Sequence, residues 1–316
     1  MKLTQIRDFE VGKSIQGFYL CKQKHIRRTR NGDIFIDLTL QDSTGTISAK
    51  MWDMVDKFQN RFEQSDPVAV KGKVDEFNNE IQLTITQINF ADDERYKKYG
   101  FNPDDLVRTI NEPIDDLFKE LDRLISDIKP KKLSELLNNI FKKYNEKVIV
   151  LHGSEDFHHP ERGGFLKHLV STAILAEKVA DSYSDIDKDL LVAGCLLHDI
   201  GRVKEYDLGL EPTKNETGHL IDHTILGREI LLEEISKIKN FPKELRLKLE
   251  HIIVSHQGNR YQMNNSQFKF PEALVVHYLD KIDGQLDMML RIIEEDSNPG
   301  DWTDAKNYFR TELWKI

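Results

Sequence analysis

The 316-residue sequence predicts a multi-domain α+β chain in which a small five-stranded β-barrel precedes an all-α part. Three observations predict it. Residues up to Phe90 carry short apolar runs that alternate with period two. Beyond Pro113 the apolar residues recur at helical spacing. Between them lies the polar stretch Asp92–Asp105, with Gly100 and Pro103, which suits a boundary.

The strands come first. Ile34, Ile36, Leu38 and Leu40 share one face of a run that alternates through Phe35, Asp37 and Thr39. Ile47, Ala49 and Met51 repeat the pattern, then Val68, Val70 and Val74, then Ile81, Leu83 and Ile85. Asn31-Gly32-Asp33, Asp42-Ser43-Thr44-Gly45 and Asn78-Asn79 supply turn residues between them. Five or so short strands in this length suit a closed barrel, and the OB-fold is the commonest five-stranded kind.

Helices follow over Pro113–Ile128 and Lys131–Tyr144, broken by Pro130. Further helices are expected at His168–Tyr183, Lys188–Tyr206, His223–Lys239, Glu244–His256 and Pro271–Glu295. The tail from Trp302 to Ile316, with Tyr308, Phe309 and Trp314, reads as an aromatic helix docking on this part or meeting another subunit. The Pro113–Tyr144 pair suits a spacer or an oligomer contact.

Composition narrows the function classes. With 39% hydrophobic and 31% charged residues the chain is too apolar to be disordered. Its longest apolar run, Leu190–Leu197, is far too short to span a bilayer, so no membrane partner is expected. Met1–Asp8 lacks the apolar core of a secretory signal. Two cysteines, Cys21 and Cys195, exclude a disulfide framework and a cysteine zinc site, and suit a reducing cytoplasm. The net charge is −9, but residues 1–99 hold 16 Lys+Arg against 15 Asp+Glu, and the remainder 29 against 39. The acidity belongs to the helical part, which leaves the barrel free to bind a polyanion.

The chemistry lies in the histidines. His198-Asp199 ends the apolar run and is followed by Ile200-Gly201-Arg202. Burying an adjacent imidazole and carboxylate is costly unless they are paired or hold a metal. His168 lies upstream in Gly163-Gly164-Phe165-Leu166-Lys167-His168; His223, His256 and Asp280 lie downstream, each on or beside an apolar segment. A lone histidine on an apolar face is more often a hydrogen-bonded core residue, and His251 and His277 read that way.

The order His, His-Asp, His, His, Asp resembles the HD-domain superfamily of metal-dependent phosphohydrolases. A barrel ahead of such a domain resembles the YhaM-type 3′-to-5′ exoribonucleases, and the likeness covers nearly the whole chain. It implies that His168, His198, Asp199 and Asp280 hold one metal, with Asp199 bridging to a second held by His223 and His256. Mixed imidazole and carboxylate donors suit Mn²⁺, Fe²⁺, Co²⁺ or Zn²⁺ better than Mg²⁺, and Mn²⁺ is the expected ion. A metal pair supplies the attacking hydroxide and the charge neutralisation that a phosphodiester needs. Arg202 or Lys204 would offset charge on the phosphate; the family usually has lysine at the position of Arg202. It also tends to have two adjacent histidines where this chain has His256-Gln257, which weakens the expected second site. His158, His159 and Arg162 precede the first ligand helix and suit a substrate pocket.

On the barrel, Phe35, Lys50, Trp52, Lys71 and Lys73 point outward by strand alternation, and Arg27, Arg28 and Arg30 add charge at the first hairpin. Aromatics beside lysines suit single-stranded nucleic acid, because bases stack on rings and lysines follow phosphates. Phe35 and Trp52 equally suit packing against the helical part. The sequence is thus divided into 1–92, an OB-fold nucleic-acid-binding domain; 93–148, a helical linker; and 149–316, an HD domain with an aromatic tail. The expected activity is hydrolysis of single-stranded RNA, or ssDNA, from the 3′ end to 5′-mononucleotides. Two rivals stand beside it. One is a phosphohydrolase of nucleotides or cyclic dinucleotides regulated by the barrel; the other is a non-catalytic RNA-binding adaptor.

Overall fold

The computed structural model describes residues 3–78, 80–154, 157–258 and 267–315. Asn79 of the Asn78-Asn79 turn, the first two residues and Ile316 lie outside the described residues. Contacts divide the chain into two compact units, Met1–Thr109 with Leu208–Thr213, and Ile110–Asp207 with Lys214–Ile316.

The first unit is a closed barrel of β1 (Ser14–Arg28), β2 (Ile34–Asp42), β3 (Gly45–Met51), β4 (Pro67–Phe77) and β5 (Glu80–Phe90). The strands run in the order β1-β2-β3-β5-β4, with β4 returning to β1. All pairings are antiparallel except β3 with β5, where Ala49 faces Leu83. Ile36, Leu38, Leu40, Ala49, Met51, Val68, Val70, Val74 and Leu83 point into one core, as their alternation predicts. Between β3 and β4 lies the short helix α1 (Val55–Phe58).

One strand lies outside the alternating runs, and one expected facing is corrected. The longest strand, β1, gave no alternating signal. Its burial runs continuously over Tyr19, Leu20 and Cys21, and its register with β2 shifts between Cys21 and Gln23. A bulge breaks the period that sequence reading relies on. Ile81, expected on the inner face of β5, is 44% exposed, whereas Ile88 is fully buried. The β4–β5 register shifts beside Gly72, where a Cβ would stand 2.6 Å from Thr84 O.

The stretch 93–148, expected as a helical linker, divides between the units. After the turn α2 (Asp93–Tyr96), Phe101, Leu106 and Val107 are buried with Leu20 and Ala91. Helices α3 (Ile114–Ser126), α4 (Lys131–Lys143) and α5 (Asn145–Val150) put Leu121, Leu124, Leu136, Leu137, Ile140 and Val148 into the core of the second unit. An amphipathic pattern shows that a face must be buried but not which core buries it.

That core is built around α6 (Gly164–Ser182) and α7 (Lys188–Leu197), followed by α8 (Arg202–Glu205), α9 (Glu216–Leu220), α10 (His223–Ser236), α11 (Lys243–Ser255) and α12 (Pro271–Glu295). Every residue from Leu190 to Leu197 is buried. The expected single helix Lys188–Tyr206 is therefore two, with the His-Asp pair in the break. The tail is not a helix; an isolated bridge joins Trp302 to Trp314, and both rings are more than half exposed. None of the described helices is long and apolar enough to cross a membrane.

Candidate metal centre and nucleic-acid surface

Five helices of the second unit deliver its polar residues to one point. His168 lies in the first turns of α6, which opens after Gly163 in the left-handed region (φ 86°). His198 and His256 cap the C-termini of α7 and α11. His223 opens α10 behind an Asp222 N-cap whose carboxylate accepts from Thr224 N. Asp280 lies midway along α12.

The donor atoms converge. Asp199 Oδ1 lies 3.1 Å from His223 Nε2 and 3.0 Å from His256 Nε2. Asp280 Oδ1 lies 3.4 Å from His168 Nε2 and 3.8 Å from His198 Nε2, and those two nitrogens are 3.1 Å apart. The structure thus brings together all six residues that the resemblance singled out.

The rings are held from behind. His198 Nδ1 donates to Cys195 O at 2.7 Å and His256 Nδ1 to Ile253 O at 2.8 Å. His168 Nδ1 meets Asp283 Oδ2 at 2.7 Å. In His198 and His256, fixing Nδ1 as the donor leaves the Nε2 lone pair aimed inward, as metal-ligating histidines require. Burial pushes His198 down to about 4, so its ring is neutral. Burial would also lower His168 and raise Asp280, but their mutual bond and charges override it, lifting His168 to about 10 and dropping Asp280 well below the carboxylate range. Burial would raise Asp199, yet Arg202 and the nearby histidines hold it far below its ordinary value. His168 Nε2 and His198 Nε2 face each other at 3.1 Å, and the imidazole and carboxylate set fits a divalent metal.

Sequence reading missed several supports. Asp283, one turn beyond Asp280, also accepts from Ser171 Oγ and meets His159 Nε2 at 2.8 Å. Asp287, a turn further, accepts from His159 N at 2.7 Å. The spacing of Asp280, Asp283 and Asp287 on one helical face was the available signal. His159, expected in a substrate pocket, is instead buried in this network. Burial pushes His158, whose ring centroid is 4.9 Å from that of His168, down to about 3.

The two expected phosphate contacts separate. Arg202 Nε donates to Asp199 Oδ2 at 2.6 Å, so this guanidinium first fixes a carboxylate. Lys204 Nζ meets Glu229 Oε2 at 3.5 Å, on α10. Residues two apart on a helix point in different directions, so the short α8 cannot aim both inward. Glu205, three on from Arg202, returns to the buried side, with Oε1 3.7 Å from His223 Nδ1. Gln257 stands where the family tends to have a second histidine, and its Nε2 lies 2.8 Å from His223 Nε2. A cleft of about 560 Å³ opens beside these groups, lined among others by Phe157, Arg202, Tyr206, Lys214, His219 and Gln257. Arg162 is absent from its lining, although its carbonyl accepts from Ile110 N.

On the barrel, the Phe35 and Trp52 rings stack at 4.5 Å, with Trp52 42% exposed. Lys50 Nζ lies 5.8 Å from the Trp52 ring and 5.5 Å from that of the exposed Phe77, a residue sequence reading did not single out. Arg28 bonds Gly32 O, Arg27 pairs with Asp37 Oδ2 at 3.0 Å, and Arg30 is exposed. Lys71 and Lys73 are exposed on β4, but Lys71 lines a different cavity, with Gln16, Phe18 and Tyr99.

Comparison with known proteins follows the two units. Residues 165–300 match the HD domain and residues 24–91 the OB-fold nucleic acid binding domain. A protein of Bacillus licheniformis named 3′-5′ exoribonuclease YhaM is 30% identical over 298 residues, covering 93% of this chain and 92% of the relative. The proteins of that name from Bacillus velezensis and Bacillus subtilis are 30% and 29% identical over the same length. The chain belongs to the YhaM family. Both the OB-type barrel and the HD arrangement expected from sequence are family features, present in the expected order. The match covers 93% of the chain and so runs through both units.

Proposed function

We propose that the protein is a metal-dependent 3′-to-5′ exoribonuclease that degrades single-stranded RNA, and ssDNA of the same form, to 5′-mononucleotides. The convergence of four imidazoles and two carboxylates carries this reading. A barrel with an exposed stacked aromatic pair beside Lys50 supports a single-stranded polymer as substrate. Polarity is carried over from the relatives' name.

Two donor sets sharing Asp199 support a pair of divalent ions: His168, His198, Asp199 and Asp280 for one, Asp199, His223 and His256 for the other. The mixed nitrogen and oxygen donors suit a first-row transition ion better than Mg²⁺, and we take it as Mn²⁺. When bound, such a pair polarises the phosphoryl group and lowers the pKa of the attacking water. The protein's own residues do the rest. Arg202 holds Asp199 in place, so that its second oxygen stays aimed at the centre. The cleft offers Lys214 for the phosphate and the exposed Phe157 for the terminal base. Backbone carbonyls keep His198 and His256 in one tautomer. The buried thiols Cys21 and Cys195 are free, which suits the reducing cytoplasm where we place the enzyme.

The test is a time course on 5′-labelled single-stranded RNA with Mn²⁺, beside Asp199→Ala. A ladder shortening from the 3′ end, absent in the variant, is expected. RNA left intact in every metal, or shortened from the 5′ end, overturns the proposal.

A further inference from the structure

Beside the six converged residues is an imidazole that nothing so far employs. His158 precedes α6, on the segment that leads into it. It, His168 and Asp280 each place a donor atom within 4.8 Å of the others. Its Nε2 is shut off from solvent and has no hydrogen-bond partner. Buried polar atoms are almost always paired, so this one calls for a physical reason.

The seat of the ring is built rather than accidental. Gly284, one turn along α12 from Asp280, lies against it; a Cβ there would stand 3.2 Å from His158 Cγ and Nδ1. On another side a Cβ on Gly153 would stand 3.2 Å from His158 Cδ2. Any side chain at either position would crowd the ring. The neighbouring His159 takes the structural task instead. Its left-handed backbone (φ 44°) sets the two rings at 89°, and it bonds Asp283 and Asp287. One histidine of the pair supports the network behind His168, and the other is left with a free nitrogen in front of it.

We infer that His158 is a further ligand of the divalent ion held through His168 and Asp280. The inference rests on the metal reading proposed above and adds a nitrogen donor that the HD pattern does not supply. It also has a consequence for metal choice. A third imidazole on one ion favours Mn²⁺, Co²⁺, Fe²⁺ or Zn²⁺ over Mg²⁺, which prefers oxygen donors and retains its waters. The role needs no proton transfer at His158; it needs only the lone pair and the seat.

The experiment measures metal uptake by the full chain without RNA. Parent, His158→Ala and His158→Phe are stripped of metal, then titrated with MnCl₂ and with MgCl₂. Phenylalanine fills the ring's seat and removes the lone pair, which separates ligation from packing. Binding of one Mn²⁺ should weaken at least tenfold in both variants, with Mg²⁺ affinity changed much less and the metal-free melting temperature of His158→Phe close to the parent's. With Co²⁺ in place of Mn²⁺, the visible absorption of one ion should shift. Parental Mn²⁺ affinity and an unchanged Co²⁺ spectrum in His158→Phe overturn the inference, as does an equal loss of Mn²⁺ and Mg²⁺ affinity, which marks a structural role. A parent that takes up no divalent ion overturns the metal reading beneath it, and this inference with it.

Discussion

Gly201→Ala tests whether the centre depends on the close approach of α8 to α10. Gly201 has φ −60° and ψ −23°, a right-handed helical conformation that alanine adopts freely. Backbone preference alone would therefore favour alanine, by about 1 kcal/mol. Packing opposes it. A Cβ at Gly201 would stand 1.9 Å from His223 O and 2.6 Å from Gly227 N, both backbone atoms of α10. Relief needs a retreat of α10 by roughly 1 Å, because carbon contacts settle near 3.5 Å and neighbours share the strain. Overpacking costs up to about 3 kcal/mol, so the net destabilisation is about 2 kcal/mol. For a unit of this size that is a fall in melting temperature of roughly 4–8 °C. The same movement draws His223 away from Asp199, now 3.1 Å apart, and a 1 Å misplacement costs on the order of 100-fold in rate. Calorimetry of the metal-free protein and turnover of labelled RNA read the two effects separately. A variant as stable as the parent and equally fast would refute the steric argument.

Three further outcomes follow from particular contacts. Arg202→Ala leaves the buried Asp199 without its cation, which costs about 3–5 kcal/mol in stability and removes most turnover, whereas Lys204→Ala, losing only a long contact to Glu229, should stay within about twofold; melting curves and RNA assays on both check this. Trp52→Ala removes half of the stacked pair and should weaken single-stranded RNA binding by about 1–3 kcal/mol, while hydrolysis of a dinucleotide is unchanged; fluorescence anisotropy and dinucleotide hydrolysis measure these. Leu136→Ala, in α4, should cost about 2–5 kcal/mol because Leu136 is fully buried in one core with Leu169 and Leu196, and a shift in urea midpoint without loss of RNA binding registers it.

What could be read from the sequence follows how local each signal is. Strands β2 to β4 were legible because their apolar residues alternate without interruption, whereas β1 and the far half of β5 were not, because bulges at Cys21/Gln23 and beside Gly72 change the phase. The six donor residues were legible because chemistry fixes them as an ordered set, and an apolar run flags the His-Asp pair as buried. The residues behind them were not. Asp283 and Asp287 look like ordinary solvated charges on a helix that also carries Lys281 and Glu294. Only α6 packed against α12 shows that Asp283 meets Nδ1 of His168 and Oγ of Ser171. The aim of Lys204, toward Glu229, was not legible for the opposite reason. Its charge and its place near Arg202 suggested a role, but direction on a helix turns by about 100° per residue, so proximity along the chain says little about aim. The same rule divides His158 from His159: adjacent in sequence, their rings stand at 89°, His159 bonded to the carboxylates behind His168 and His158 beside His168 and Asp280.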